Sequence, residues 1–356
     1  MMNAHPTKPI WNTAILGASG YTGADMVRLA LGHPNLRIVA LSADRKAGQP
    51  LAAVFPHFTP CALPDLVAVD AIDWAGIDVV FCCLPHATTQ GVVKAIFAAA
   101  PRVKVIDLSA DFRLTDPAVY ADWYGGAHQA IELQAEAVYG LTEWNRAGVA
   151  GARLVACPGC YPTAALLALL PLLDAGLIAP EPITINALSG VSGAGRSLKE
   201  QNLFCEVAEG VHPYGLGRHR HMPEIEQELA RVAGRPLAIS FTPHLVPVNR
   251  GELETIAVHL APGRTPADLR AALVARYAAE PFVHVLGEGE APATRHVRGS
   301  NHCVLNVFAD RIPGRALVVA AIDNLVKGSS GQALQNFNVV AELAETTGLM
   351  SPALFP

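Results

Sequence analysis

Cys160 is the residue of this sequence whose position best suits nucleophilic chemistry. Residues 154–163 read LVACPGCYPT, an apolar strand that runs into a Pro-Gly turn and then into a helix. Pro162 fits the first turn of that helix, where its missing N–H costs nothing. Free N–H groups and the helix dipole stabilise a thiolate at a helix N-terminus, which lowers the cysteine pKa below about 8.5. We therefore predict a nucleophilic thiolate at neutral pH.

Two other uses of cysteine compete with this interpretation. Many cysteines are small buried hydrophobic residues, which is what we expect of Cys61, Cys82, Cys83, Cys205 and Cys303. The Cys157-Pro-Gly-Cys160 spacing also matches half of a zinc site or a thioredoxin-like pair. A four-cysteine zinc site needs a second such pair, which the sequence lacks, so we predict no metal.

Cys157 gives the nucleophile a neighbouring thiol. Only a Pro-Gly turn separates the two cysteines, and cysteines can bridge when their Cα atoms come within about 7 Å. A low-pKa thiolate is readily oxidised, and a neighbouring thiol then resolves the sulfenic acid as a disulfide. Either mild peroxide inactivates the protein reversibly through a Cys157–Cys160 disulfide, or Cys157 points into the core and is inert. The sequence leaves both open.

A nucleophilic cysteine needs an acid/base partner, and residues 217–224, GRHRHMPE, supply two candidates. The alternation places His219 and His221 on one side of an extended segment and the two arginines on the other, before a helix that begins near Pro223. A histidine held there can take or give the proton at the reacting oxygen. The alternative is a solvated basic loop.

A glycine-rich turn, GASGYTG at residues 17–23, lies between the β-like run Asn12–Leu16 and a helical run that ends at Leu31. Glycines let backbone N–H groups approach a pyrophosphate, and the helix dipole favours its negative charge. The spacing departs from the G-x-G-x-x-G fingerprint, so a plain tight turn remains the alternative.

The end of the next strand bears on the choice of cofactor. The run Leu36–Ser42 is followed by Ala43, Asp44 and Arg45. NAD sites usually place a carboxylate here for the ribose 2′-hydroxyl, whereas a nearby arginine accommodates the 2′-phosphate of NADP. Ser42 and Arg45 favour NADP, Asp44 leaves NAD open, and a solvated Arg45 is the alternative.

Two further polar loops follow predicted strands. Ser189–Arg196 has the composition of an anion-binding nest or of a flexible turn. Asp107–Arg113 leaves a strand on the side where doubly wound sheets bind ligands, and Arg113 there can pair with a carboxylate or phosphate. The residues alone decide neither role.

Alternating strands and helices position these motifs in the first part of the chain. β-like runs cover Asn12–Leu16, Leu36–Ser42, Asp78–Leu84 and Val103–Leu108, with a helix over Thr89–Ala100. This spacing predicts an α/β domain with a doubly wound parallel sheet.

The pattern changes after about residue 158. A helix over Tyr161–Ala175 precedes longer, more alternating strands at Ile183–Leu188, Leu237–Pro247, Glu254–Leu260, Val283–Leu286 and Cys303–Phe308, and a pure β-run at Leu317–Ile322. They predict an α+β domain with a mixed or antiparallel sheet. We expect a nucleotide-binding domain at 1–158, a catalytic and oligomerisation domain at 159–328, and a helix over 331–346, within the segment 329–356, that returns to the first domain.

Bulk composition limits the class of partner. The chain has 356 residues, of which 51% are hydrophobic and 16% charged, so it can bury the cores of two domains. A net charge of -5 without a Lys/Arg stripe argues against nucleic acid and anionic membranes. Met1–Trp11 has no signal-peptide core, and seven cysteines without a disulfide framework suggest the reducing cytoplasm.

Taken together, these motifs resemble the signatures of the N-acetyl-gamma-glutamyl-phosphate reductase family. The main matches are PGCYPT at 158–163 and GRHRHMPEI at 217–225. Further matches, in order over nearly the whole chain, are GASGYTG at 17–23, FCCLPH at 81–86, DLSADFR at 107–113, PHLVPVNRG at 243–251, VRGSN at 297–301 and DNLVKG at 323–328.

The resemblance implies a Rossmann NADP domain joined to a catalytic domain like that of aspartate semialdehyde dehydrogenase. It would make Cys160 the acyl-accepting nucleophile and His219 the acid/base, with His221 nearby at the substrate, and which histidine acts stays open. It assigns the pyrophosphate to Gly17, Ser19, Gly20, Tyr21 and Thr22, with Asn324 near the nicotinamide. It places Arg113, Ser192 and Gly193 by the substrate.

The implied reaction is the NADPH-dependent reduction of N-acetyl-L-glutamyl 5-phosphate, a small-molecule acyl phosphate, to the semialdehyde through a Cys160 thioester. We expect a homo-oligomer, a dimer or tetramer. One alternative is a sister reductase that acts on aminoadipyl phosphate held by an acidic carrier protein, which the charge of -5 disfavours. Another is a silent NADP-sensing regulator, which would need neither the thiol nor the histidines. The sequence departs from the family at Cys157, where Asn is common.

Overall fold

Residues 9–355 are the part of the chain described by the computed structural model. Most of the start Met1–Trp11, predicted to carry no signal peptide, lies outside the described residues, as does residue 356 at the end of the predicted returning segment. Within the described part, no helix is long and apolar enough to cross a membrane.

The strands of the described residues are numbered in chain order. They are β1 (Trp11–Leu16), β2 (Leu36–Ser42), β3 (Leu66–Val67), β4 (Val79–Cys82), β5 (Lys104–Asp107), β6 (Val138–Tyr139), β7 (Leu154–Ala156), β8 (Ile183–Gly190), β9 (His212–Pro213), β10 (Ile239–Val246), β11 (Glu252–His259), β12 (Val283–Val285), β13 (Cys303–Ala309) and β14 (Arg315–Ile322).

The α-helices are numbered in the same way. They are α1 (Tyr21–Leu31), α2 (Leu51–Val54), α3 (Thr89–Ala99), α4 (Pro117–Tyr124), α5 (Ile131–Glu136), α6 (Thr142–Ala150), α7 (Cys160–Asp174), α8 (Phe204–Val207), α9 (Met222–Ala233), α10 (Pro266–Tyr277) and α11 (Gly331–Val340).

The chain folds as two compact units. The first contains the described residues up to Thr115, together with His128–Cys157 and Ser330–Met350. The second contains Asp116–Ala127, Pro158–Ser329 and the described residues from Ser351 onwards. The helix α11 therefore groups with the first unit, and α4 groups with the second.

A seven-stranded parallel sheet forms the centre of the first unit, in the order β3-β2-β1-β4-β5-β7-β6. β4 is buried along its whole length, as expected of a parallel strand covered on both faces. The strand order reverses between β1 and β4, so the glycine turn after β1 lies at the switch point where such sheets bind ligands. The predicted doubly wound sheet is confirmed.

The second unit contains a seven-stranded sheet in the order β12-β13-β14-β11-β8-β10-β9. The pairs β8–β10 and β12–β13 are parallel and the other pairs are antiparallel, which confirms the predicted mixed sheet. The helix α7 packs against α9, α10, β11 and β14. All its residues from Tyr161 to Leu173 are buried, because the sequence is apolar around the whole helix.

The predicted C-terminal helix is too long. Helix α11 ends at Val340 rather than at 346, because the Asn338 side chain donates to the carbonyls of Glu345 (3.0 Å) and Thr347 (2.9 Å). These bonds fold the following residues back on the helix end. Helix α10 was not predicted, although Leu269, Leu273 and Tyr277 recur every four residues and Thr265 and Asp268 form a capping box at its start.

Candidate active site

The glycine turn of the first unit has no room for side chains at two of its glycines. Gly17 has φ +76°, and a Cβ there would lie 2.4 Å from the Cys83 carbonyl oxygen. A Cβ on Gly23 would lie 2.2 Å from the Gly17 oxygen. Gly20 is the N-cap of α1 and has no side chain with which to bond the N–H groups of the first turn. A helix start preceded by a tight glycine turn suits a pyrophosphate, because the backbone N–H groups and the helix dipole favour an anion there.

Ser42, at the end of β2, contacts the backbone of this turn. Its side chain is fully buried, and its hydroxyl oxygen accepts a hydrogen bond from the Gly17 N–H at 3.2 Å. The Ser42 carbonyl also accepts from the Ala18 N–H at 2.9 Å. Ser42 thus fixes the backbone of the turn, a contact that its position at the strand end did not predict.

Arg45 lies on the surface near the end of β2. It belongs to a 3-10 turn, Asp44–Lys46, that follows the strand, and it is exposed. Beside it is a cleft of about 460 Å³ lined by Asp44, Ala68, Val69, Asp70, Trp74, Gly91, Val92 and Ala95. The apolar part of this cleft suits a flat aromatic ring such as adenine.

Arg113 is buried in the loop after β5. Its Nη2 donates to the Leu108 carbonyl at 2.9 Å, and its charge lies near Asp107. Burial and the nearby charge of Asp111 raise the pKa of Asp107 to about 7. Hydrogen bonds from Ser109 and the charge of Arg113 lower the pKa of Asp107, but these effects are smaller. Within the first unit, the positive charge of Arg113 therefore offsets the negative charge of the buried Asp107 carboxyl. Contact between Arg113 and the substrate remains a prediction.

The other acid of this loop has a structural use. Asp111 accepts from the N–H groups of Ala87 (2.6 Å) and Thr89 (2.9 Å) at the start of α3. The DLSADFR motif therefore holds the ends of β4, β5 and α3 together, which accounts for Asp111 without any ligand.

The start of α7 places Cys160 and is itself held by the histidine segment. Gly159 caps the helix, and its N–H donates to the Glu224 carboxylate at 2.9 Å. The Thr163 hydroxyl donates to the Gly159 carbonyl at 2.9 Å. The last residue of the GRHRHMPE motif thus ties α9 to the residue that precedes the nucleophile.

Cys160 is tightly enclosed on the side of the DNLVKG loop. A Cβ on Gly328 would lie 2.7 Å from the Cys160 Cβ and 3.2 Å from the Ile322 Cδ1. Only glycine allows this approach. Cys160 itself keeps part of its surface accessible, as a nucleophile must.

The predicted low pKa of Cys160 is wrong. Burial raises the pKa of the thiol well above its ordinary value, and the carboxyls of Glu252 and Glu254 raise it further. The Tyr161 N–H at the helix start opposes these effects, but it is the smaller influence. Cys160 therefore rests as a thiol and must give up its proton when it reacts.

His219 and His221 lie together, with their ring centroids 4.9 Å apart. The Nδ1 of His219 accepts the His221 N–H at 3.2 Å, so a neutral His219 carries its proton on Nε2. Burial, helped by Arg220, lowers the pKa of His219 to about 4, which keeps the ring neutral at pH 7. A neutral ring of this tautomer can donate a hydrogen bond from Nε2 to a developing oxyanion.

His221 is the histidine in closest contact with the start of α7. A Cβ on Gly159 would lie 2.3 Å from the His221 Nε2. Tyr161, the residue after the nucleophile, packs edge-on against both histidine rings. Both predicted histidines thus lie beside the segment that carries Cys160.

The two arginines of the motif point to a different element. Arg218 pairs with Asp122 of α4 at 3.0 Å and lies over the Trp123 ring, and Arg220 lies over the Tyr124 ring. The two histidines and the two arginines of this segment therefore face different elements, which confirms their predicted separation. Because the arginines contact α4, the segment is not simply a solvated basic loop.

Asn324 connects two loops of the second unit. Its Nδ2 donates to the Ser192 hydroxyl at 3.0 Å, and its Oδ1 accepts the Gly251 N–H at 2.9 Å. A Cβ on Gly193 would lie 3.1 Å from the Ser189 Oγ and 3.6 Å from the Asn324 Nδ2. The structure thus brings Ser192, Gly193 and Asn324 together, while their contacts with substrate or nicotinamide remain predictions.

Sequence reasoning missed several residues around the nucleophile. The Tyr161 and Tyr214 hydroxyls are hydrogen-bonded at 2.9 Å, and burial raises the pKa of both. Glu252 and Glu254 are fully buried on β11. The one signal for them is the presence of two glutamates at alternate positions of a strand that is mostly apolar after them.

Cys157 lies in the core of the first unit. Its side chain is fully buried, and the Asn336 Nδ2 contacts its sulfur at 3.6 Å. Burial raises the pKa of Cys157 to about 12, and all seven cysteines are free. These features favour the inert alternative over the Cys157–Cys160 disulfide. Nor do three or more His, Cys, Asp or Glu side chains come together as a metal site within residues 9–355.

Two family models match the chain. One, described as the NAD binding domain of semialdehyde dehydrogenase, matches residues 12–152. The other, described as the semialdehyde dehydrogenase dimerisation domain, matches residues 160–324.

Curated relatives match over nearly the full length. A protein of Rhodospirillum rubrum named N-acetyl-gamma-glutamyl-phosphate reductase is 58% identical over 97% of this chain and 99% of its own. A protein of the same name from Afipia carboxidovorans is 57% identical over 96% of this chain and 97% of its own. A probable chloroplastic enzyme of that name from Arabidopsis thaliana is 55% identical over 99% of this chain and 86% of its own.

Solved structures share the fold at low identity. Aspartate semialdehyde dehydrogenase II of Vibrio cholerae, complexed with ASA, superposes with a TM-score of 0.72 and 17% identity, over 94% of this chain and 98% of its own. Aspartate semialdehyde dehydrogenase of Candida albicans, solved with NADP, superposes with a TM-score of 0.64 and 18% identity, over 93% of this chain and 98% of its own.

The close approach of Gly328 to Cys160 is testable. Gly328→Ala should displace the thiol, and a misplacement of about 1 Å should lower turnover on the order of 10²-fold. Gly151→Ala, whose added Cβ meets open space, is the matched control and should behave as wild type. Steady-state rates of both variants check this, and a Gly328→Ala variant with wild-type turnover would contradict the packing described.

Proposed function

We propose that this chain, which belongs to the N-acetyl-gamma-glutamyl-phosphate reductase family of semialdehyde dehydrogenases, reduces N-acetyl-L-glutamyl 5-phosphate to N-acetyl-L-glutamate 5-semialdehyde and phosphate. The main support is full-length identity of up to 58% to proteins of that name, combined with a cysteine at the start of a buried helix beside two histidines. The same relatives disfavour the carrier-linked aminoadipyl substrate.

Cys160 supplies the nucleophile in this proposal. Its sulfur attacks the acyl carbon, the bond to phosphate breaks, and a thioester remains on the enzyme. The N–H groups at the start of α7, including that of Tyr161, stabilise the developing negative charge. The His219 Nε2–H donates to the same oxygen, and His221 and Tyr161 hold the His219 ring in place.

The first unit holds the cofactor, for which we propose NADP. The turn residues Gly17, Ser19, Gly20, Tyr21 and Thr22 bind the pyrophosphate, Ser42 fixes that turn through Gly17, and Arg45 pairs with the 2′-phosphate. When bound, NADPH supplies the hydride that reduces the thioester. Asn324 is proposed to lie near the nicotinamide, and Arg113, Ser192, Gly193 and His221 near the substrate.

We further propose a homo-oligomer and a cytoplasmic location. The match of residues 160–324 to a dimerisation domain supports the homo-oligomer. Seven free cysteines support the cytoplasmic location, because free thiols persist in a reducing compartment.

The thioester can be tested with the reverse reaction. Phosphate-dependent reduction of NADP should proceed with N-acetylglutamate semialdehyde and far more slowly with its aminoadipate analogue. Cys160→Ser should abolish turnover while NADPH binding stays near normal, because the hydroxyl is a much weaker nucleophile. Mass spectrometry of wild type with acyl phosphate and no NADPH should find an acyl group on Cys160. Substantial turnover by the serine variant would exclude the thioester.

The role of His219 predicts both a rate and a titration. His219→Asn should lower kcat by about 10² to 10³, the usual effect of losing a hydrogen-bond donor to an oxyanion. His259→Asn, at the far end of β11, is the control and should stay near wild type. In an NMR titration, His219 should remain neutral until the pH falls toward 4, because burial lowers its pKa. A midpoint near 6.5 would show that the ring is not enclosed as described.

Cofactor choice depends on Arg45. Arg45→Ala removes a charge-assisted contact of roughly 1.5–3 kcal/mol, so NADP binding should weaken at least about tenfold while NAD binding changes little. The neighbouring exposed cation offers a control, Lys46→Ala, which should leave the preference unchanged. Calorimetric titration with both cofactors measures this. Equal losses for NAD and NADP would remove the 2′-phosphate assignment.

A further inference from the structure

The proposed substrate has two anionic groups, and only one cationic side chain has been placed near it so far. N-acetyl-L-glutamyl 5-phosphate carries a carboxylate and a phosphate, whereas Arg113 is the one arginine proposed at the substrate. Arg113 belongs to the first unit, where its charge offsets the buried Asp107 carboxyl. The PHLVPVNRG motif at residues 243–251 has no part in the proposed function, and it supplies another arginine, Arg250.

Arg250 lies on the loop between β10 and β11, in the second unit. The Gly251 N–H donates to the Asn324 Oδ1 at 2.9 Å, on one side of Arg250 in the chain. On the other side, the Asn249 carbonyl accepts the Ser192 N–H at 3.3 Å. The backbone that carries Arg250 is therefore fixed against both loops that the proposed function places at the substrate and the nicotinamide.

A buried carboxylate holds the Arg250 side chain beside the DNLVKG loop. The Arg250 Nη1 lies 3.5 Å from the Asp323 Oδ1, and Asp323 is fully buried. Its carboxylate also accepts three backbone N–H groups, those of Gly299 (2.6 Å), Leu325 (2.8 Å) and Val326 (3.0 Å). Because these bonds share the charge of the carboxylate, Asp323 orients the guanidinium without fully neutralising it.

The same loop links Arg250 to the nucleophile. The Asp323 carbonyl accepts the Gly328 N–H at 2.9 Å. A Cβ on Gly328 would lie 2.7 Å from the Cys160 Cβ. Arg250 and Cys160 therefore contact two residues of one short turn. An acyl phosphate carries its phosphate on the carbon that the sulfur attacks, so the phosphate is the anionic group of the substrate nearest to Cys160.

Arg250 is also the cation of these loops that reaches the surface. Among the described residues of the loops 189–193, 247–251 and 323–328, the other cation is Lys327, which is fully buried and lies over the Phe282 ring at 5.8 Å. The Arg250 side chain is 28% exposed. A guanidinium presents five N–H donors in a planar fork that matches two oxygens of a phosphate. Its position and exposure therefore suit an anionic ligand.

The two acids that follow Arg250 in the chain add little negative charge. Glu252 and Glu254 are fully buried, and burial raises the pKa of each above that of an ordinary carboxyl. Their neutral forms are therefore favoured at pH 7, and they leave the positive charge of Arg250 largely uncancelled.

We propose that Arg250 is a phosphate-binding residue of the active site, which binds the phosphate group of the acyl phosphate and, in the reverse reaction, inorganic phosphate. The proposal rests on the function proposed above for the identity of the acyl group. Arg250 holds the phosphate beside the Cys160 sulfur. Its positive charge also stabilises the negative charge that develops on the phosphate as the bond to the acyl carbon breaks.

The reverse reaction tests this residue, because it presents the two anionic groups on separate molecules. The semialdehyde carries the carboxylate, and inorganic phosphate is the second substrate. Arg250→Gln should raise the KM for phosphate by about tenfold to a hundredfold, the effect of losing a charge-assisted hydrogen bond, and should change the KM for the semialdehyde by less than about threefold. Arg250→Lys keeps the charge without the fork and should give an intermediate KM for phosphate.

Arg315→Gln is the matched control. The Arg315 side chain is 27% exposed and pairs with Asp310 at 3.2 Å, but it begins β14, whereas Asp323 follows the end of that strand. Its KM for phosphate should match that of wild type. An unchanged KM for phosphate in a folded Arg250→Gln, or a raised KM for the semialdehyde alone, would show that Arg250 does not bind the phosphate.

Alkylation of Cys160 gives a measurement that needs no turnover. Inorganic phosphate alone should slow the reaction of wild-type Cys160 with iodoacetamide, followed by mass spectrometry, and Arg250→Gln should need about tenfold more phosphate for the same protection. No protection in wild type would overturn the proposal even if the variants failed to fold. Protection that depends on Arg250, without phosphate-dependent turnover of N-acetylglutamate semialdehyde, would support the phosphate site and refute the proposed function alone.

Discussion

Close packing of the backbone around Cys160 is the constraint on which the site of the second unit depends. Gly159 leaves no space beside the His221 Nε2, and Gly328 leaves none beside the Cys160 Cβ. The Glu224 carboxylate holds the Gly159 N–H, so the helix start and the histidine segment cannot shift independently. Three signatures that are far apart in sequence therefore share one rigid arrangement. Such rigidity fixes the sulfur for attack without a cost in ordering.

Burial outweighs the helix N-terminus in setting the state of Cys160. The helix dipole contributes typically 0.3–1 kcal/mol and up to about 2 kcal/mol in partly buried sites. Full burial of a charge can move a pKa by about 3–5 units, which is larger. The carboxyls of Glu252 and Glu254 also raise the pKa of Cys160. The state of a cysteine at a helix start therefore depends on the burial and the charges around it, and this environment is not encoded in the local sequence.

The fold was predictable from sequence to a large extent, and the site less so. Period-2 runs and glycine turns depend on local chemistry, which is why β2 appears with its predicted bounds and the mixed second sheet was expected. The support given to Gly17 by Ser42 and the burial of Cys157 against Asn336 depend on residues distant in sequence. The burial of Glu252 and Glu254 depends on the strand register of the second sheet. No local pattern carries that information.

Charge balance links these features to the proposed substrate. An acyl phosphate is an anion, so a site that receives it must limit its own negative charge. Glu254 is held protonated, His219 neutral and Cys160 as a thiol, because burial disfavours the charged form of each. A thiolate formed before the substrate arrives would add a buried charge to the site, at a cost in free energy that burial makes large.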